Sequence, residues 1–163
     1  MAPQEIDLVF PGSALSVRGQ DGYTIMTISG ELDIASVPVL REQILGLLRP
    51  AAASGGRIVI DLSGVTFCDA SGLAPLVGAS RRAGQLDGVL RLAAPTPLVA
   101  TLLRLTGLDS RFEIFATVPD AISAPVHRGA GEADAPKPRA CCSAQPPIGE
   151  FRARTAAEGH VRR

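Results

Sequence analysis

The stretch RIVIDLSGVTFCDASGLAPLVGASRRAG, residues 57–84, decides the fold. Ile58, Val59, Ile60 and Leu62 form a β-branched, nearly continuous apolar run, the pattern of a strand covered on both faces, so Arg57–Leu62 reads as a strand. Ser63-Gly64 has turn chemistry, and Val65 to Cys68 then leads back toward the core. Asp69-Ala70-Ser71-Gly72 opens a helix that carries Leu73, Leu76 and Val77 on one face. Pro75 is expected in the first turn of that helix, where a missing N–H costs little. The unit is strand, loop, helix, with small polar residues at the helix N-terminus. Free N–H groups there favour an anion, including a phosphate. On local sequence alone, Asp69 and Ser71 read as capping residues.

Upstream, Ala14–Arg18 and Tyr23–Ser29 alternate as two strands around the turn Gly19-Gln20-Asp21-Gly22, which predicts a hairpin. Residues 1–12 read as a flexible lead-in, with enough apolar residues (Ile6, Leu8, Val9, Phe10) for a short edge strand. Ser36 is a good N-cap, Pro38 suits a first turn, and Val37, Leu40, Ile44, Leu47 and Leu48 recur at helical spacing, predicting a helix over 36–48. Downstream, Val89–Ala93 is a short apolar strand. Thr96 and Pro97 start a helix with Leu98, Val99, Leu102, Leu103 and Leu105, and Gly107 suits its left-handed end. Arg111–Ala116 reads as the last strand and Pro119–Ser123 as a short final helix. The order β-β-α-β-α-β-α-β predicts an α/β domain over 13–123, a small mixed sheet packed by helices.

From residue 124 the composition changes. The segment 124–163 is rich in Ala, Pro and Arg, with seven basic residues against four acidic, and lacks apolar periodicity, so it is expected to be a disordered tail. Across all 163 residues, 16 basic and 16 acidic side chains cancel, which argues against a nucleic-acid-binding surface and a polybasic membrane face. No apolar run is long enough to span a bilayer, and MAPQEIDLVF does not read as a signal peptide. The three cysteines, Cys68, Cys141 and Cys142, fit reduced thiols, and a cytoplasmic location is expected. A catalytic set is missing. Both histidines, His127 and His160, fall in the tail, and Asp61 and Asp69 read as turn and capping residues rather than an acid and base pair. Cys141-Cys142 has no further Cys or His at zinc-site spacing, and Cys68 reads as a small core residue, so no metal or other cofactor is expected.

Two segments together carry a family resemblance: ISGELD at Ile28–Asp33 and DLSGVTFCDASGL at Asp61–Leu73. In this order, with these elements around them, they resemble the signatures of STAS domains, specifically bacterial anti-sigma factor antagonists, over roughly residues 13–120. The resemblance implies a non-enzymatic partner-switching protein without a cofactor. Such an antagonist binds an anti-sigma factor, a GHKL-type serine kinase, and so frees a sigma factor for transcription. Phosphorylation ends the binding and a serine phosphatase restores it. The implied contact surface is Asp33, Ile34 and Ala35 with Asp69, Ala70, Ser71 and Gly72. Typical members carry the phosphorylated hydroxyl directly after the Asp, where this chain has Ala70. Either Ser71 is the phosphorylation site instead, or the protein is an antagonist that the kinase binds and cannot switch off. The alternative from the same fold is an accessory subunit of a lipid-transport ABC complex.

Overall fold

The structure, a computed structural model, describes residues 6–48 and 56–126. Six strands form one sheet in chain order: β1 (Ile6–Phe10), β2 (Ser13–Gln20), β3 (Tyr23–Leu32), β4 (Arg57–Cys68), β5 (Val89–Ala93) and β6 (Glu113–Phe115). The first three strands run antiparallel through two-residue turns, and β3 to β6 are parallel. Each parallel step is bridged by a helix or helical turn: α1 (Val37–Leu47), α2 (Ala70–Gln85), and α3 (Pro97–Leu105) with a 3-10 turn at Leu108–Ser110. A last helix, α4 (Val118–Ser123), closes the described chain.

The apolar run in β4 has a direct cause, since both of its faces are covered. Ile58, Ile60 and Leu62 pack with Leu40 and Ile44 of α1, Leu73 and Leu76 of α2, and Val99 and Leu103 of α3. Val59 faces the other way and packs with Tyr23, Ile25, Ala93 and Ala121 of α4. The second face is held by an ion that hydropathy does not reveal. Arg91, in the middle of β5, is 1% exposed. Its Nε donates to Glu113 at 2.7 Å. Its terminal nitrogens donate to the Tyr23 hydroxyl and to the carbonyls of Ala121, Ala124 and Pro125. The guanidinium also lies 5.7 Å from the Tyr23 ring centroid and 5.4 Å from that of Phe115. α4 is thus tied to the sheet through one buried cation whose donors are satisfied.

Several expectations are corrected. Residues 57–68 are one strand rather than a strand, a turn and a return. Ser63-Gly64 falls where β4 carries an extra residue opposite Thr27–Ser29, a bulge rather than a reversal. Pro75 lies in the second turn of α2, not the first, so the Ser71 carbonyl receives no bond from it. Its buried ring adjoins a groove lined by Val37, Arg41 and Leu45 of α1. The short edge strand that Ile6, Leu8, Val9 and Phe10 allowed is present as Ile6–Phe10, and Pro11-Gly12, with Gly12 at φ +78°, makes the tight turn into β2. Beyond position 123, Arg91 donates to the carbonyls of Ala124 and Pro125. Residues 127–163, with His127, His160, Cys141 and Cys142, lie outside the described residues.

Replacing Arg91 by Ala would leave the Tyr23 hydroxyl and three carbonyls short of a donor. Arg91→Ala is expected to cost about 3–5 kcal/mol in urea unfolding. Glu113→Gln, at a side chain 44% exposed, is expected to cost no more than about 1 kcal/mol.

Candidate partner-binding surface

The surface is built on the end of β3. The Leu32 carbonyl accepts the Asp69 N–H at 3.1 Å. A Cβ on residue 72 would lie 2.2 Å from that same oxygen, so only glycine lets α2 start this close to β3. The glycine of the first signature is required in the same way. Gly30 sits at φ +91°, and a Cβ there would fall 2.2 Å from the Gly12 carbonyl. That carbonyl accepts the Glu31 N–H at 2.9 Å, and the Ser13 hydroxyl donates to the Glu31 carbonyl. The β1–β2 turn, the end of β3 and the start of α2 therefore form one rigid block.

Two aspartates shape the block. The Asp33 carboxylate accepts the Ala35 and Ser36 N–H groups, both at 3.0 Å. Ser36, expected as the N-cap of α1, makes no side-chain cap. Its hydroxyl turns back, donating to the Asp33 carbonyl at 2.8 Å and accepting the Asp33 N–H at 3.0 Å. The resulting tight loop leaves Ile34 74% exposed, with Ala35 exposed beside it. Asp69 is the N-cap of α2, as its type and place suggested. Its Oδ1 accepts the Gly72 N–H at 3.0 Å and also the Ser71 hydroxyl. The Ser71 hydroxyl and then the Gly72 N–H hold the Asp69 carboxyl below the usual carboxylate range. Ser71 is half-buried and turned onto Asp69, Gly72 is buried, and Ala70 points to solvent.

Phe67 was missed. Sequence placed Val65–Cys68 on a path into the core, yet Phe67 is 48% exposed while Val65 and Cys68 are buried. A second irregularity explains this: Gly30 pairs with Val65 and Glu31 with Phe67, so Thr66 is an extra residue that resets the alternation and turns Phe67 outward. No signal in one sequence marks such a bulge. Cys68 is the small core residue expected. Burial, with a lesser contribution from the Asp69 charge, pushes its thiol up to about 11, so it stays protonated at neutral pH.

Among the described residues, no group of three or more His, Cys, Asp or Glu could hold a metal ion, and no helix is long and apolar enough to cross a membrane. The sequence from 15 to 117 matches the family model described as "Mlab, STAS domain". The chain belongs to the STAS-domain family. Within it, the similarity runs to anti-sigma factor antagonists. The chain is 30% identical over 109 residues to the anti-sigma-F factor antagonist RsfB of Mycobacterium tuberculosis, covering 67% of this chain and 86% of that protein. It is 33% identical over 102 residues to the anti-sigma-B factor antagonist of Bacillus subtilis, covering 63% and 90%. The crystal structure of an anti-sigma factor antagonist from Mycobacterium paratuberculosis superposes with a TM-score of 0.62 at 30% identity, over 71% of this chain and 97% of that one. The expected α/β architecture and the family resemblance both hold.

Gly72→Ala is expected to destabilise the fold by about 1–3 kcal/mol in urea unfolding, since backbone rather than a flexible side chain must move. Asp69→Asn keeps an oxygen cap and loses the charge. Because the folded carboxyl titrates lower than the unfolded one, its contribution is present above the usual carboxylate range and disappears as pH falls through its lowered value. The melting temperature of the wild type should exceed that of Asp69→Asn at neutral pH, and the gap should close below about pH 4.

Proposed function

We propose that this protein is a cytoplasmic anti-sigma factor antagonist that binds a serine-kinase anti-sigma factor of the GHKL type through Asp33, Ile34, Ala35, Asp69, Ala70, Ser71 and Gly72, and so releases a sigma factor. We add Phe67 to that surface. What supports the reading is the composition of the rigid block around Leu32. The segments that this block joins carry two exposed apolar side chains, Ile34 and Phe67, an uncharged, solvent-facing Ala70 and two carboxylates held by backbone N–H groups. An apolar centre with a polar border is the make-up of a protein-binding patch. Binding of this kind needs no group transfer by the antagonist itself.

The reading extends to the switch. A kinase phosphorylating the residue after Asp69 meets a methyl group at Ala70. The neighbouring Ser71 hydroxyl is half-buried and already donates to Asp69. Phosphorylating it would break that bond and set a dianion against the Asp69 carboxylate. The protein is therefore an antagonist that its kinase binds and does not release, leaving a serine phosphatase nothing to reset at this position.

The test uses the kinase captured from the host by the tagged protein, incubated with ATP. The wild type should stay bound and unmodified, whereas Ala70→Ser should gain one phosphate at position 70, read by mass spectrometry, and dissociate. Ile34→Asp and Phe67→Asp should each weaken capture at least tenfold, as expected for buried anchors. Phosphate on Ser71 of the wild type would sink the unswitchable form. Capture of an ABC ATPase in place of a kinase would sink the sigma-factor role and leave the fold assignment standing.

A further inference from the structure

The family match begins at residue 15, so β1, the edge strand of the sheet, lies ahead of the matched residues. This edge is poorly guarded. β1 reads Ile-Asp-Leu-Val-Phe, with one charge in five residues, and Val9 is 83% exposed. The opposite edge, β6, has three residues and begins with Glu113, paired to Arg91. Among the described residues, β1 pairs only with β2. An unpaired apolar edge is a template for another strand.

The turns fix which backbone groups face outward. Phe10 and Ser13 close the turn at Pro11-Gly12, and Gln20 and Tyr23 close the turn at Asp21-Gly22. Hydrogen-bonded and non-hydrogen-bonded positions alternate along an antiparallel pair. Phe10, Leu8 and Ile6 therefore turn their N–H and C=O groups toward β2, and Val9 and Asp7 turn theirs to the free edge. The two turns agree, since counting back from each assigns alternate residues of β2 to β1 and to β3.

We propose that this edge pairs with β1 of a second copy, antiparallel, across a two-fold axis at Leu8. Asp7 of one copy then lies opposite Val9 of the other, twice, and each of these pairs brings outward N–H and C=O groups together. Leu8 meets Leu8 between them, on the face where its neighbour Leu15 joins the core. The adjacent registers fail for stated reasons. One places Asp7 opposite Asp7, with like charges directly across the pair. The other places Asp7 opposite Pro11, which has no N–H to donate. A shift by a single residue would match outward groups with inward ones and turn the side chains to the wrong faces.

The contact is small, so the test is sedimentation equilibrium of the full chain over a wide concentration range at low salt. The wild type should show a reversible monomer–dimer equilibrium. Val9→Asp sets a carboxylate opposite Asp7 of the second copy and should weaken the dimer by tenfold or more, about 1.4 kcal/mol. Val9→Lys sets a cation there and should leave the dimer at least as tight as the wild type, with the gain lost in high salt. Position 9 is exposed in the monomer, so both variants should fold, and matching circular dichroism melts will confirm it. A wild type that stays monomeric throughout, or a dimer indifferent to the sign of the charge at position 9, overturns the proposal.

Discussion

The join between the end of β3 and the start of α2 depends on the space beside the Leu32 carbonyl. That oxygen takes the Asp69 N–H and lies against the bare α-carbon of Gly72. The contact joins the loop after β3 to the first turn of α2, although 39 sequence positions separate Asp33 from Gly72. A side chain at 72 would push the two apart and loosen both. The Asp33 and Asp69 carboxylates then close each loop onto its own backbone N–H groups. The result is a preorganised patch, so in the proposed function little ordering entropy remains to be lost on docking.

The other face of the sheet is held on a different principle. Helices α1 to α3 cover the first face by apolar packing alone. Among the described residues the second face has only the six-residue α4 to cover it, too short a helix to supply much apolar area. Arg91 makes up the difference with directed bonds to Tyr23, Glu113 and three carbonyls. A buried cation of this kind stabilises only while its acceptors are complete. It therefore specifies one seat for α4 rather than a range of them. Thr117 helps by capping that helix through Asp120.

Elements with strong local signals were legible in advance. The apolar run in β4, the heptad-like spacing in α1 and α3, Asp69 as a cap and Gly107 as a left-handed helix end all matched, because each is fixed within a few residues of itself. Misreadings cluster where one strand meets another. The two bulges in β4 follow from its register against β3, which no window of local sequence contains. Ser36 looked like a cap because hydroxyls often are; here α1 has no side-chain cap, the Asp33 carboxylate closes the preceding loop on Ala35 and Ser36, and the Ser36 hydroxyl turns back to the Asp33 backbone.

By itself the sequence determined the order of strands and helices from β2 to β6, the two signatures and the absence of a hydroxyl at position 70, since these are matters of residue type and spacing. Only the tertiary structure decided what each signature residue is for. Gly30 and Gly72 are set by close approach to carbonyls from distant segments, Phe67 is turned out by a bulge, and Ser71 is occupied by Asp69. Arg91 makes the same point from the core. Val89–Ala93 reads as a short apolar strand, and the place of its one charge is set by Tyr23, Glu113 and the carbonyls of residues 121, 124 and 125, which only the folded chain brings around it.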